Sequence, residues 1–210
     1  MARGYFITFE GGEGAGKSTQ VEALAQRLAA TGREIVKTRE PGGSRGAEAI
    51  RDMLVTGQAE RWSARTETLL MNAARSDHIE HVIGPALARG AVVLCDRFAD
   101  STRAYQGAGG GVGPEWIMQL ETQVVGNLKP DLTLILDLPP EVGLRRAAGR
   151  RDTEDRFEGK SPTFHARLRA HFLMIAAAEP KRCRVVDAVM SADQVQAEIW
   201  AAVRLRLNLR

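Results

Sequence analysis

Cysteine is scarce in this chain: its 210 residues include two, Cys95 and Cys183, each inside an apolar strand-like segment and neither in a CxxC spacing. That argues against a disulfide framework or a zinc site and for reduced thiols in a core. Long hydrophobic runs are missing as well. Apolar stretches such as Val92 to Cys95 and Leu132 to Leu138 fall far short of the roughly 20 residues a membrane span requires, so no membrane association is expected. Met1-Ala2-Arg3 runs into Tyr5-Phe6-Ile7-Thr8-Phe9 without the charged and apolar regions of a signal peptide. With the reduced thiols, this gives the expectation of a cytoplasmic protein. Charge of one sign is not in large excess either: 29 Lys and Arg stand against 26 Asp and Glu, a formal net charge of +3. The basic residues are spread along most of the chain, so no nucleic-acid partner is expected. Internal repeats and low-complexity linkers are absent, and residues 1–210 read as one domain that carries every site.

What is present is a regular alternation. Apolar strand-like runs at Tyr5 to Phe9, Ile35 to Thr38, Val92 to Asp96, Leu132 to Asp137 and Val185 to Asp187 alternate with amphipathic stretches. The amphipathic stretches, read as helices, are Gln20 to Ala30, Ala64 to Arg89, Glu115 to Val125, Thr163 to Ala178 and Ala192 to Leu207. This rhythm predicts an α/β domain with a parallel sheet flanked by helices. Glu40-Pro41-Gly42-Gly43, Gly107 to Pro114 and Leu138-Pro139-Pro140 read as loops.

Between the first strand and the first helix stands Gly11-Gly12-Glu13-Gly14-Ala15-Gly16-Lys17-Ser18-Thr19, a match to G-x-x-x-x-G-K-[ST] in the strand–loop–helix context that a phosphate-binding loop needs. Glycines let successive backbone N–H groups converge on phosphate oxygens, and the helix adds its positive end. Lys17 is then expected on the β- and γ-phosphates, Ser18 on Mg²⁺ and Thr19 on a neighbouring phosphate. Two strands end in a carboxylate that could share the metal, at Asp96 and Asp137. Asp96 is preferred because Arg97 beside it supplies an anion-binding cation, whereas Asp137 precedes Leu138-Pro139-Pro140 and fits a strand end or helix cap. The N-K-x-D motif that reads guanine is absent, which argues against a GTPase. His78, His81, His165 and His171 have no metal-like or triad partners in sequence and receive no chemical role.

Four motifs in order resemble the thymidylate kinase family in its bacterial form, over nearly the whole chain: Glu10 to Thr19, Thr38-Arg39-Glu40-Pro41-Gly42-Gly43, Asp96-Arg97-Phe98 and Asp155-Arg156-Phe157-Glu158. The resemblance implies a three-layer P-loop nucleoside monophosphate kinase fold with a five-stranded parallel sheet in the order 2-3-1-4-5. It implies transfer of the γ-phosphoryl group of MgATP to dTMP, giving dTDP and ADP for dTTP synthesis, by a homodimer. On the acceptor side it implies Glu13 near the sugar and phosphate, Arg97 on the phosphate, and Arg39, Pro41 and Ser101 nearby. It further implies Arg75 on the thymine carbonyl, Thr102 facing thymine N3 and Tyr105 crowding the 2′ position. Val185-Val186-Asp187-Ala188 resembles the last strand and the loop that covers adenine. Met71 departs from the aromatic residue that many relatives stack on thymine; its polarizable sulfur can cover a ring less rigidly.

None of the variable P-loop positions Gly12, Glu13, Gly14 and Ala15 is basic, so a further transition-state cation must come from elsewhere. The arginines from Arg145 to Arg156 form the dense supply. A mobile lid over about 145–160 is therefore expected, with Arg150, Arg151 and Arg156 as candidates beside Lys17, Asp96 and Arg97. Two alternatives stay open at this point: a kinase with another acceptor, such as deoxyuridylate or a nucleoside, and a nucleotide sensor that transfers nothing.

Overall fold

Five strands form one parallel sheet in the order β2-β3-β1-β4-β5, as the resemblance implies. They are β1 (Tyr5–Glu10), β2 (Ile35–Arg39), β3 (Val92–Asp96), β4 (Leu132–Asp137) and β5 (Cys183–Asp187). The computed structural model describes residues 3–58, 61–149 and 156–209, and the expected lid residues Arg150 and Arg151 lie outside them. Registers such as Ile7 with Leu94 and Phe9 with Leu134 bring the carboxyl ends of β1 and β3 side by side, where open α/β sheets place their ligands.

The two-residue period of the strands splits the core into two layers. Ile7, Phe9, Leu94 and Leu134 pack on one face with Leu24 and Leu28 of α1 (Lys17–Ala29) and Ile199 and Val203 of α9 (Ala192–Leu207). On the other face Phe6, Val93 and Phe98 meet Ile83 and Leu87, and Ile135 meets Leu168 and Phe172 of α8 (Pro162–Ala178). Cys95 and Cys183 are buried free thiols, in line with the sequence. Among the described residues no helix is long and apolar enough to cross a membrane.

Several boundaries differ from the sequence reading, each for a local reason. The stretch read as one helix from Ala64 to Arg89 is α3 (Ala64–His78), a π-helical segment Ile79–Ile83 and α4 (Gly84–Ala88). Pro85 has no N–H to return to the preceding turn, so the ladder widens there. The glycine-rich stretch from Gly107 is not all loop: after α5 (Ala99–Thr102) a π-helical segment Arg103–Gly109 extends into it. α6 follows at Pro114–Val125. Two helices were absent from the reading altogether. α2 (Arg45–Val55) is capped by Ser44, whose hydroxyl accepts from the Ala47 N–H. α7 (Pro140–Ala148) starts on a proline, a residue whose fixed φ suits a first turn.

Candidate active site

The loop between β1 and α1 wraps Lys17, whose Nζ donates to the Gly12 carbonyl at 2.9 Å and the Gly11 carbonyl at 3.2 Å. Gly14 has φ 65°, and a Cβ there would stand 2.0 Å from the Gly143 carbonyl oxygen. Only glycine fits between the loop and α7. Ser18 Oγ donates to Asp96 Oδ2 at 2.7 Å, so a hydroxyl and a carboxylate from two different elements sit together at the loop's mouth. Oxygen donors of this kind suit a hard divalent cation that takes its remaining ligands from phosphates and water. Asp137 is paired elsewhere: it receives Arg169 Nε at 2.7 Å and Nη2 at 2.8 Å.

Arg97 leaves β3 with φ 70°, a left-handed turn that carries its guanidinium across the cleft. Its Nη1 donates to the Gly11 carbonyl at 3.0 Å, and its Nη2 reaches both oxygens of Glu13 at 3.1 and 3.2 Å. The cation also lies 4.8 Å from the centroid of the Tyr105 ring, and the Tyr105 hydroxyl donates to Glu13 Oε1 at 2.6 Å. Burial opposes the charge on Glu13, but Arg97 and Lys17 together hold its pKa down to about 2. Burial and the nearby Arg97 bring Lys17 down to about 8, a repulsion that an incoming phosphate would relieve.

Opposite this charged end the cleft is closed by α3. Arg75 is 2% exposed; its Nε donates to Glu40 Oε2 at 2.7 Å and its Nη2 to Thr102 Oγ1 at 3.0 Å and the Phe98 carbonyl at 3.2 Å. Glu13 to Ser18, Arg39, Pro41, Met71, Arg75, Asp96, Arg97, Ser101, Thr102 and Tyr105 all line one cleft of about 350 Å³. Gly11 and Gly12 lie behind it, and Thr19 is exposed on the first turn of α1. Arg39 sits at the rim, paired with Glu48 at 3.1 Å. Arg156 does not line the cleft. It is 3% exposed, with Nη1 on the Leu54 carbonyl at 2.9 Å and on Glu67 at 2.6 Å.

Sequence reasoning passed over Glu10, Glu40, Arg51, Gln106, Phe157 and Glu158. The last five line the cleft. Glu40, Phe157 and Glu158 stood inside motifs already singled out, so a signal existed. Gln106 and Arg51 had none, because only the fold brings the π-helical segment and α2 to the site. Glu10 lies beneath it, fully buried, accepting from the Phe98 N–H at 2.8 Å with Ser101 Oγ 2.6 Å from its other oxygen.

A P-loop after the first strand, a carboxylate paired to its serine and the Arg97 guanidinium in the same cleft fit a phosphotransferase of the nucleoside monophosphate kinase class. Comparison with known proteins narrows the class. The family described as Thymidylate kinase matches residues 9–199. A thymidylate kinase of Caulobacter vibrioides is 62% identical over 209 residues, covering 100% of both chains. One from Bradyrhizobium sp. (strain ORS 278) is 55% identical over 207 residues, covering 98% of this chain and 92% of that one. The crystal structure of thymidylate kinase from Ehrlichia chaffeensis superposes with a TM-score of 0.78 at 33% identity, covering 96% of this chain and 99% of that one. The chain belongs to the thymidylate kinase family.

Proposed function

We propose that this protein transfers the γ-phosphoryl group of ATP to dTMP, giving ADP and dTDP. The observation that carries the reading is the single cleft that joins Lys17, Ser18 and Asp96 at one end to Arg75, Thr102 and Tyr105 at the other, with Arg97 between. A donor triphosphate on the P-loop and an acceptor monophosphate on Arg97 would meet there in line, and positioning with charge neutralisation supplies most of the catalysis in such a transfer. Lys17 turns from the loop carbonyls to the β- and γ-phosphates. Ser18 and Asp96 are the oxygens that would hold a magnesium ion, whose charge offsets that of the phosphates. Arg97 neutralises the acceptor phosphate while Glu13 holds its guanidinium in place, and no protein nucleophile is needed.

At the base end, Arg75 donates toward thymine O4 and Thr102 Oγ1 accepts from N3–H. Met71, half-buried on the turn before Arg75, covers the ring. The Tyr105 ring, packed edge-on against Phe157 at 5.5 Å, occupies the room that a 2′-hydroxyl would need. The buried ties of Arg156 favour an anchoring role at the root of the lid, leaving Arg150 and Arg151 as the candidate transition-state cations. The exposed Leu69 and Met118 on the neighbouring helices α3 and α6 fit the face of a homodimer, and the reading is that of a cytoplasmic enzyme. Incubation with ATP, Mg²⁺ and dTMP, followed by chromatographic identification of the products, tests it. Equal amounts of ADP and dTDP are expected; ADP formed without dTDP, or no turnover, would contradict it.

A further inference from the structure

We propose that His78 is a positioning residue for base selection, acting through Glu40 on the guanidinium of Arg75. The inference deepens the acceptor reading above and rests on it. His78 lies on the last turn of α3, is 0% exposed, and is linked at both ring nitrogens. Nδ1 lies 3.1 Å from Glu40 Oε1 and Nε2 lies 2.6 Å from Thr38 Oγ1. The other oxygen of Glu40 receives Arg75 Nε at 2.7 Å. In the tautomer that donates from Nδ1 to Glu40, Nε2 accepts and the Thr38 hydroxyl is the donor. Thr38, His78, Glu40 and Arg75 thus form one chain of directed hydrogen bonds from the end of β2 to the floor of the cleft.

The geometry gives this chain a task beyond filling space. A guanidinium has five N–H groups in a rigid plane. Among the described residues those of Arg75 go to Glu40, Asn72, Phe98 and Thr102, one each, which leaves a single N–H, on Nη1, for a ligand. Its direction follows from the plane, and the shortest of the bonds that fix the plane is the one to Glu40. The loop after Glu40 is itself shaped around His78: Gly43 has φ 90°, and a Cβ there would stand 2.4 Å from His78 Nε2 and 2.3 Å from Thr38 Oγ1. Pro41 in the same loop lines the cleft.

The lone donor distinguishes bases in a definite way. Thymine and uracil present an acceptor at O4, whereas cytosine presents an amino donor at that place. A firmly held Arg75 therefore rejects cytosine and is indifferent to the 5-methyl group. A site that leaves buried polar groups unpaired can discriminate strongly, and it loses that power when the donor can swing to accommodate the wrong partner.

The test is a steady-state comparison of dTMP, dUMP and dCMP at saturating MgATP in the wild type, His78→Leu, His78→Asn and Thr38→Val. Leu fills the ring's space without a donor, and misplacement of the guanidinium should raise KM for dTMP about tenfold and lower the dTMP-to-dCMP ratio of kcat/KM by a similar factor. The dTMP-to-dUMP ratio, kcat with dTMP and KM for ATP should stay within about twofold. His78→Asn, whose amide can stand where Nδ1 stood, should restore most of the ratio. Thr38→Val, a volume-matched change at the far end of the chain, should move it in the same direction by less, and it tests the relay even if His78→Leu does not fold. An unchanged dTMP-to-dCMP ratio in both His78→Leu and Thr38→Val, or an equal fall for all three acceptors, would overturn the proposal. A wild type that uses dCMP as well as dTMP would instead overturn the base reading itself, and this relay with it.

Discussion

Glu10 ends β1 with its carboxyl beneath the turn that presents Arg97. Burial, reinforced by the charge of Asp100, raises its pKa from 4.5 to about 8, so the folded protein keeps a proton there that the unfolded chain has released. Stability linked to this group is therefore full below about pH 4.5, falls as pH rises to about 8 and then levels. Glu10→Gln should mimic the protonated group and remove that fall. The melting temperature of the variant relative to the wild type should rise between pH 5.5 and pH 8.5 in calorimetry, and a constant difference would contradict the assignment. Lys17 carries the opposite kind of burden, a buried ammonium that desolvation and Arg97 oppose and that Asp96, Glu13 and Glu10 only partly offset. Lys17→Ala should lower kcat by a factor of about 10² to 10³, the usual effect of losing one well-placed transition-state donor, with the melting temperature little changed. Activity near that of the wild type would place the phosphate ligand elsewhere.

Among the elements, the short helical stretch from Ala99 to Gly109 brings Ser101, Thr102, Tyr105 and Gln106 to the cleft. If the Tyr105 ring excludes the 2′-hydroxyl, Tyr105→Ala should narrow the preference for dTMP over its ribonucleotide counterpart, whereas Tyr105→Phe should keep it. An unchanged ratio in Tyr105→Ala would refute the ring's role. The segment around Arg156 makes a second test. Its buried pair with Glu67 implies that Arg156→Ala costs about 3 to 5 kcal/mol of stability, since it strands a buried charge. Arg150→Ala or Arg151→Ala should lower kcat with stability intact. The reverse pattern, a kcat effect at Arg156 alone, would return the transition-state role to it. These same elements mark how far the sequence was legible. The strands and long helices carry strong periods, and the P-loop, Asp96 and Arg97 sit at their ends, so they could be read directly. α2 and α7 follow Pro- and Gly-rich stretches whose turn signals masked the helix starts at Ser44 and Pro140. Gln106 and Arg51 could not be read at all, because their place in the site is a product of packing between segments distant in the chain.

At the scale of the whole molecule, a parallel sheet with its strand ends aligned brings the P-loop, Arg97 and Arg75 to one cleft, the arrangement on which the proposed transfer between two nucleotides rests. The face carrying Leu69 and Met118 predicts a homodimer by sedimentation analysis, and Met118→Lys should shift it toward monomer; a wild type that is monomeric at micromolar concentration would remove that surface from the account. His78 shows the limit of reading residues singly, since its role depends on Thr38 and Glu40 from β2 and the loop beyond it. The most direct measurement is the specificity of phosphoryl transfer itself: kcat/KM at saturating MgATP for dTMP, dUMP and dCMP by coupled ADP release. The methyl group alone is worth about 1 to 3 kcal/mol, so the account predicts dTMP first, dUMP lower by roughly 10- to 200-fold but measurable, and dCMP lowest. Equal use of the three acceptors would contradict it.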